Sequence, residues 1–454
     1  MKISVIGCGY LGAVHAASMA QLGHDVIGID VDRAKIDSLS QGKAPFFEPD
    51  LPELLIAGIE AGSLRFSSDM ADVAGSVVHF VAVGTPQQKS GTGADLSYVD
   101  AAIEGLLPHL APGDLVVGKS TVPVGTAERL AAIIEPTGAQ LAWNPEFLRE
   151  GYAVKDTISP DRLVYGVRRE DPSASVASLP PASGGGGASR QEARRAVAIL
   201  NEVYAQAIAA DTPLVVTDYA TSELVKVAAN AFLATKISFI NAMAEIAEVA
   251  GADVTELADA IGYDARIGRK FLNAGVGFGG GCLPKDIRAF TARAEELGRG
   301  ESVAFLKEVD AINLRRRDRV VELVVDALGG SAFQKKVAVL GLAFKPNSDD
   351  IRDSPALDVA VRLHGLGAHV VATDPEAIAN SKLKHPQLAF GSTAEALKGA
   401  DIVVVVTEWN EYRSLDPVEL ASVVDGTIVV DGRNCLDVAA WRGAGWRYIG
   451  LGRR

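Results

Sequence analysis

Cysteine is scarce, with Cys8, Cys282 and Cys435 scattered over 454 residues. Three dispersed thiols cannot frame a disulfide-stapled secreted fold, so the expectation is a reducing, cytoplasmic setting and a core built by apolar burial. Net positive charge is also missing. A formal net charge of -13 repels nucleic acid and anionic membrane, and a polyanionic ligand would need a local cationic site. No uninterrupted apolar run approaches the roughly 20 residues that span a bilayer. Residues 402–406 fall far short. Residues 3–19, behind Lys2, have the look of a signal peptide, but Gly7, Gly9 and Gly12 interrupt them and favour a strand and its turn. Neither nucleic acid nor membrane is an expected partner.

What is present is a composition of 48% hydrophobic and 22% charged residues, enough to bury a large globular core. At roughly 100–200 residues per domain the length implies two or three units. Residues 2–6 form a short β-branched run, followed by glycines, a helical stretch at 13–22 and a second strand at 25–30, which is a βαβ unit. Strands at 77–83, 115–119 and 140–143 alternate with helical segments and predict a parallel sheet covered on both faces. Residues 172–190, rich in Gly, Ser and Pro, read as a flexible surface insertion without chemistry. Residues 221–250 lack helix breakers and predict one helix of about 45 Å that spans between domains. A charged helical stretch at 314–328 precedes a second set of strands at 336–340, 369–373 (closed by Asp374), 402–406 and 427–431.

The predicted fold class is therefore α/β, with two Rossmann-like, doubly wound domains (1–205 and 316–454) joined by a long central helix and a helical dimerisation region (206–315). A long apolar helix needs cover on more than one side, which points to a homodimer or a higher homo-oligomer.

Several segments carry chemistry. Gly7, Gly9 and Gly12 form Gly-x-Gly-x-x-Gly directly after a strand, and Asp30 ends the next strand. Such glycines let a pyrophosphate approach a helix N-terminus, and the acid accepts from the adenosine ribose while repelling a 2′-phosphate, so the expected cofactor is NAD. Residues 277–286, Gly-Phe-Gly-Gly-Gly-Cys-Leu-Pro-Lys-Asp, place the Cys282 thiol among glycines, with Lys285 and Asp286 close behind. A nucleophile or a small core residue are both open at this point. On the long helix Lys226 and Asn230 share a face and suit oxyanion stabilisation, against the plainer reading of an exposed helical lysine. Residues 144–151, Asn-Pro-Glu-Phe-Leu-Arg-Glu-Gly, follow a strand and offer Glu146 as a base. Residues 119–126, Lys-Ser-Thr-Val-Pro-Val-Gly-Thr, offer Thr121 at the end of another strand. Ordinary turn chemistry would explain both equally.

Taken together and in this order, these segments resemble the UDP-glucose/GDP-mannose dehydrogenase family nearly end to end. Residues 344–346 (Phe-Lys-Pro), 349–355 (Asp-Asp-Ile-Arg-Asp-Ser-Pro) and 431–433 (Asp-Gly-Arg) extend the resemblance. The style of residues 266–281 is closest to members that act on UDP-glucose. The resemblance implies NAD-dependent, four-electron oxidation of UDP-glucose to UDP-glucuronate through a thiohemiacetal and a thioester on Cys282, supplying a nucleotide-sugar acid for polysaccharide synthesis. It implies that Lys226, Asn230, Thr121, Glu146 and Asp286 surround the reacting carbon. Gly7, Gly9, Tyr10, Leu11, Gly12, Asp30, Lys35, Thr85, Thr121, Glu150, Lys285 and Arg352 would hold NAD. The sugar nucleotide would be held by Phe147, Leu148, Arg149, Glu150, Gly151, Lys226, Asn230, Phe271, Leu272, Asn273, Ala274, Gly275, Gly279, Lys345 and Arg433, with Arg266 reaching in from a partner subunit. No metal is expected.

Two departures stand out, Gly281 where the family commonly has serine and the 172–190 insertion. The rival readings are the same chemistry on GDP-mannose or a UDP-N-acetylhexosamine, a two-electron 3-hydroxyacid or 6-phosphogluconate type dehydrogenase, and a catalytically silent nucleotide-binding protein. The second would need neither Cys282 nor another α/β domain.

Overall fold

The computed structural model describes residues 1–168 and 188–453. The expected insertion at 172–190 lies outside the described residues except for its last three, which begin the helix Ala188–Val203. The chain divides into two compact units, Met1–Ala229 and Asn230–Arg454.

The first unit is built on eight strands: β1 (Lys2–Ile6), β2 (Asp25–Ile29), β3 (Leu64–Ser67), β4 (Val78–Val81), β5 (Leu115–Gly118), β6 (Gln140–Trp143), β7 (Leu163–Val167) and β8 (Leu214–Asp218). Their order is β3-β2-β1-β4-β5-β6-β7-β8. β1, β4 and β5 are nearly continuous apolar runs with most residues buried, as strands covered by helices on both faces must be. The strands expected from the sequence, β1, β2, β4, β5 and β6, pair in parallel, and the antiparallel step comes after them, where β6 meets β7 at Trp143 and Gly166. β3, β7 and β8 were not anticipated. β7 and β8 flank the Gly/Ser/Pro-rich stretch, so no continuous strand–turn–strand signal joins them.

The strand order turns outward in both directions from β1 and β4, and this switch point opens a crevice at the carboxyl ends of the strands. The loops after β1, β4, β5 and β6, which contain the fingerprint, Thr85, Thr121 and residues 144–151, all emerge at that edge. The helix Tyr10–Gln21 is buried from Gly12 to Ala20 and meets β4 through His15, whose ring lies edge-on to Phe80 at 4.4 Å.

The second unit contains a six-stranded parallel sheet of β9 (Lys336–Leu340), β10 (His369–Thr373), β11 (Ala389–Phe390), β12 (Ile402–Val405), β13 (Ile428–Asp431) and β14 (Arg447–Gly450). The order β11-β10-β9-β12-β13-β14 repeats the topology of the first six strands. Its crevice lies between β9 and β12, with residues 344–346 emerging after β9 and residues 432–433 after the neighbouring β13. Asp374 ends β10 as Asp30 ends β2, but its carboxylate is buried and saturated by the protein. It accepts from the amides of Leu342 (2.7 Å), Ala343 (3.0 Å), Glu376 (3.0 Å) and Ala377 (2.9 Å) and from Nε1 of Trp409 (3.1 Å).

The long helix runs Tyr219–Ala250, two residues longer at its start than predicted. By length and composition alone it could cross a membrane, which the sequence reading did not anticipate, although 44% of its most apolar window is buried within the fold. The helix Phe305–Ala327 begins well before the expected charged stretch. Near the start of the long helix, Glu223 is 2% exposed and caps the helix Thr126–Ile134. Oε2 accepts from the Gly125 amide (2.7 Å) and Oε1 from the Ala127 amide (2.6 Å). These charge-assisted bonds satisfy amides that a helix start otherwise leaves unpaired. Glu223→Gln puts an amide donor against one of them. The expected cost is about 1–3 kcal/mol in denaturant unfolding, and an unchanged midpoint would show that the cap contributes nothing.

Candidate active site

The fingerprint glycines have separable roles. Gly7 has φ +90, and a Cβ on it would lie 2.7 Å from Cγ1 of Val83. A Cβ on Gly12 would lie 1.7 Å from the Gly7 carbonyl oxygen, so helix and turn touch there. A Cβ on Gly9 would meet nothing within 4 Å. The protein's own packing does not require the middle glycine, and a ligand pressed against the backbone does. The helix Tyr10–Gln21 has no side-chain cap and no acidic residue in its first turn, which leaves its amides facing that space. This cradle fits a pyrophosphate.

Asp30 closes the other side. Its Oδ2 accepts from the Cys8 amide and from Nζ of Lys35, both at 2.8 Å, and its Oδ1 from the Asp32 amide at 3.0 Å. Lys35 thereby stands beside Asp30 at the carboxyl end of β2. Leu11 packs against the core from the helix start. Thr85 and Thr121 are joined by a bond from Oγ1 of Thr85 to the Thr121 carbonyl (2.8 Å).

After β6, Glu146 and Lys226 form a buried ion pair, Nζ to Oε1 at 2.9 Å, so the exposed-lysine reading of Lys226 fails. Oε2 of Glu146 also accepts from the Leu148 amide (2.6 Å). The Phe147 ring has the Arg162 guanidinium 3.7 Å from its centre and Nζ of Lys226 at 5.5 Å. Arg149 turns its side chain to Asp156, with Nη2 to Oδ1 at 2.5 Å, and fastens the loop to the helix Ala153–Ile158. Glu150 lies near enough to Tyr10 for its charge to disfavour the phenolate.

Arg162, Lys119 and Glu48 were missed as site residues. Only their spatial neighbours distinguish them. Lys119 is buried, donates to Oδ1 of Asn144 (3.0 Å) and to the Tyr204 hydroxyl (3.2 Å), and lies over the Phe80 and Tyr204 rings. Burial lowers its pKa to about 8, partly opposed by the charge of Glu146.

In the second unit, Cys282 is exposed at the N-cap of the helix Leu283–Glu296, where the helix dipole favours an anion. Cys8 and Cys435 are different, because burial, aided by Asp30 and Asp431 respectively, pushes their thiols well above the usual range. The core-residue reading therefore suits Cys8 and not Cys282. Asp286 is 2% exposed. It accepts from Nδ2 of Asn230 (2.6 Å) on Oδ2 and from Nζ of Lys285 (2.5 Å) on Oδ1. Two donors thus compensate one buried carboxylate.

The loop glycines follow from close packing. A Cβ on Gly279 would lie 2.4 Å from the Asp353 carbonyl oxygen, on Gly280 2.8 Å from the Phe344 ring, and on Gly281 2.2 Å from Cζ of Arg352. The serine common in the family and this placement of Arg352 therefore exclude one another. Gly280 and Gly281 also donate to the Arg352 carbonyl (2.8 Å) and to Oδ2 of Asp350 (3.2 Å), so residues 350–353 brace the cysteine loop.

Among the sugar-nucleotide candidates, Arg433 donates from Nε, Nη1 and Nη2 to the carbonyls of Val406, Gly277 and Phe344, each at 2.9 Å. It therefore pins the cysteine loop to the sheet edge. Lys345 lies over the Phe344 ring at 5.3 Å. Phe271 has φ +66, Leu272 and Ala274 are buried, Asn273 accepts from Arg269 (2.7 Å), and Gly275 donates to Oδ1 of Asn241 (2.8 Å). Arg266 is exposed and paired with Asp264 at 2.6 Å. Among the described residues, no group of three or more His, Cys, Asp or Glu side chains is placed to hold a metal ion.

A dinucleotide cradle in one α/β unit, and an exposed cysteine beside a second nucleotide-type sheet in the other, define the class: a cofactor-dependent oxidoreductase of nucleotide-linked substrates. The UDP-glucose/GDP-mannose dehydrogenase family matches in chain order, its NAD binding domain at residues 1–179, its central domain at 220–315 and its UDP binding domain at 338–438. This chain belongs to that family and is an NAD-dependent oxidoreductase. The long helix is accordingly the opening helix of the family's central domain. The chain is 41% identical over 459 residues to the UDP-glucose 6-dehydrogenase of Rhizobium meliloti (strain 1021), with 100% of both chains covered. It is similar to the solved UDP-glucose dehydrogenase of the hyperthermophilic archaeon Pyrobaculum islandicum (TM-score 0.86, 36% identity, 100% of this chain and 98% of that one). It is also similar to the UDP-D-ManNAc dehydrogenase of Pyrococcus horikoshii (TM-score 0.82, 26% identity, 100% and 99%).

The depressed Lys119 generates a pH-dependent stability with a defined sign. Between about 8 and the ordinary value of 10.5 the unfolded chain holds a proton that the folded chain has shed, so raising pH through that window favours folding. The stability of the native protein relative to Lys119→Met should rise by about 1.4 kcal/mol per pH unit there. A flat difference in denaturant unfolding across the window would show that burial does not shift this lysine.

Proposed function

We propose that the chain oxidises UDP-glucose to UDP-glucuronate, consuming one water and two NAD and releasing two NADH and three protons per sugar. The observation that carries this reading is the exposed Cys282 at a helix N-terminus, three residues before Lys285 and four before Asp286. When bound, NAD supplies a hydride acceptor, and four electrons require two of them in turn.

The chain's own residues supply the rest. The Cys282 sulfur adds to the C6 aldehyde and retains it as a thiohemiacetal, whose oxidation leaves a thioester for water to cleave. Lys226 and Asn230, about one turn apart on the long helix, stabilise the oxyanion, and Thr121 holds the water. Glu146 and Asp286 move protons. The pyrophosphate cradle after β1 supports seating NAD in the first unit. The saturation of Asp374 supports giving the second sheet to UDP, since that carboxylate has its donors already.

The division into 1–205, 206–315 and 316–454 is supported by the order of the three family domains. A homodimer through the long helix is supported by Phe232, Phe239, Ile246 and Val249, exposed apolar side chains spaced to form a stripe. Arg266, exposed beside the helical region, is the side chain offered to the partner's site. A cytoplasmic location is supported by three free cysteines and a soluble nicotinamide cofactor.

Counting NADH per sugar tests the reading. Two per UDP-glucose is expected, with acid formation by Cys282→Ala reduced roughly 10³-fold or more. One NADH per sugar, or undiminished acid formation by the variant, sinks the thioester. Turnover confined to GDP-mannose or a UDP-N-acetylhexosamine moves the substrate and keeps the chemistry.

A further inference from the structure

Glu48 lies in a loop with no assigned role, yet it is 3% exposed and its carboxylate is fully engaged. Oε1 accepts from the amides of Ala153 (2.6 Å) and Val154 (3.4 Å). Oε2 accepts from the Gly151 amide (2.6 Å) and from the Tyr10 hydroxyl. The Tyr10 oxygen also accepts from the Gly151 amide at 3.1 Å, closing a small ring of bonds.

A buried carboxylate is costly unless donors surround it, and these donors come from two places only. One is Tyr10, the first residue of the fingerprint helix. The other is the end of the 144–151 loop with the first turn of the helix Ala153–Ile158. Burial, and then the bond to Glu48, push the Tyr10 hydroxyl well above its ordinary pKa, so it stays a donor. The Phe46 ring, two residues before Glu48 and 4.9 Å from the Tyr10 ring, holds the tyrosine from the same loop.

We propose that Glu48 is a positioning residue that fastens the cofactor helix to the sugar-binding loop, so that NAD seated at Gly9 and Tyr10 orders residues 147–151 and tightens sugar-nucleotide binding. This rests on the placement of NAD and UDP-glucose given above. Two loops without a shared partner order independently. With a common buried anchor, a ligand that immobilises one spares the other part of its ordering cost, and the effect must be reciprocal.

NADH and UDP-glucose together cannot react, so the coupling is measurable at equilibrium. NADH fluorescence titrations with and without saturating UDP-glucose give the ratio of the two dissociation constants. The native protein is expected to show a ratio of about 5-fold or more. Glu48→Gln, which faces backbone donors with another donor, should bring the ratio toward one and weaken UDP-glucose binding without cofactor. Tyr10→Phe leaves the amide bonds to Glu48 and cuts only the link, so it should reduce the ratio even if Glu48→Gln fails to fold. A merely structural role would lower the melting temperature and leave the ratio intact. A ratio near one in the native protein, or a native ratio in Tyr10→Phe, overturns the proposal. If the native protein ignores UDP-glucose but oxidises another nucleotide sugar, the substrate reading fails alone, and the ratio measured with that sugar decides the coupling.

Discussion

The contact on which the first unit depends is the approach of the fingerprint helix to the turn that precedes it. There is no room for a side chain between Gly12 and the Gly7 carbonyl, where a Cβ would lie 1.7 Å away. That closeness aims the helix N-terminus along the carboxyl edge of the sheet and brings Tyr10 within reach of Glu48 and Gly151. The anion cradle, Asp30 at the end of β2 and the loop after β6 all take their positions from it. A bulkier residue at position 12 would lift the helix and loosen each of them.

Buried carboxylates are the recurring fasteners of both units. Glu48 gathers the amides at the end of the loop after β6, Glu223 caps the helix Thr126–Ile134, Asp374 closes the turn after β9, and Asp286 holds Asn230 and Lys285 beside the cysteine. Each negative charge is matched by backbone amides or a cation within hydrogen-bond distance, which is the condition for keeping it in the interior. The same device serves different ends. At Asp374 it completes a fold, whereas at Asp30 the carboxylate has fewer protein donors and stands at the carboxyl edge of the sheet.

The strands with continuous apolar runs were legible, because burial on both faces writes itself into consecutive residues. β1, β6, β9 and β10 have the bounds that local patterning implies. β3, β11 and β14 are short or partly exposed edge elements, and the antiparallel step to β7 depends on how residues 144–162 return, which no local pattern specifies. The chemistry-bearing segments were legible for a related reason: glycine runs, a lone thiol and clustered Asn, Pro and Glu are conspicuous departures from strand and helix composition. The membrane-length apolarity of the helix Tyr219–Ala250 passed unnoticed because Lys226, Asn230 and other polar residues punctuate it.

What the sequence by itself determined is the principal buried strands, the two nucleotide-type folds, the NAD cradle and the family, since each rests on contiguous residues. What only the tertiary structure decided are the partnerships between distant ones. Glu146 with Lys226, Arg162 on Phe147, Arg352 in the space left by Gly281, and Glu48 between Tyr10 and Gly151 join residues far apart in the chain. A side chain's role there depends on which donor or ring lies within a few ångströms, and chain folding sets that distance.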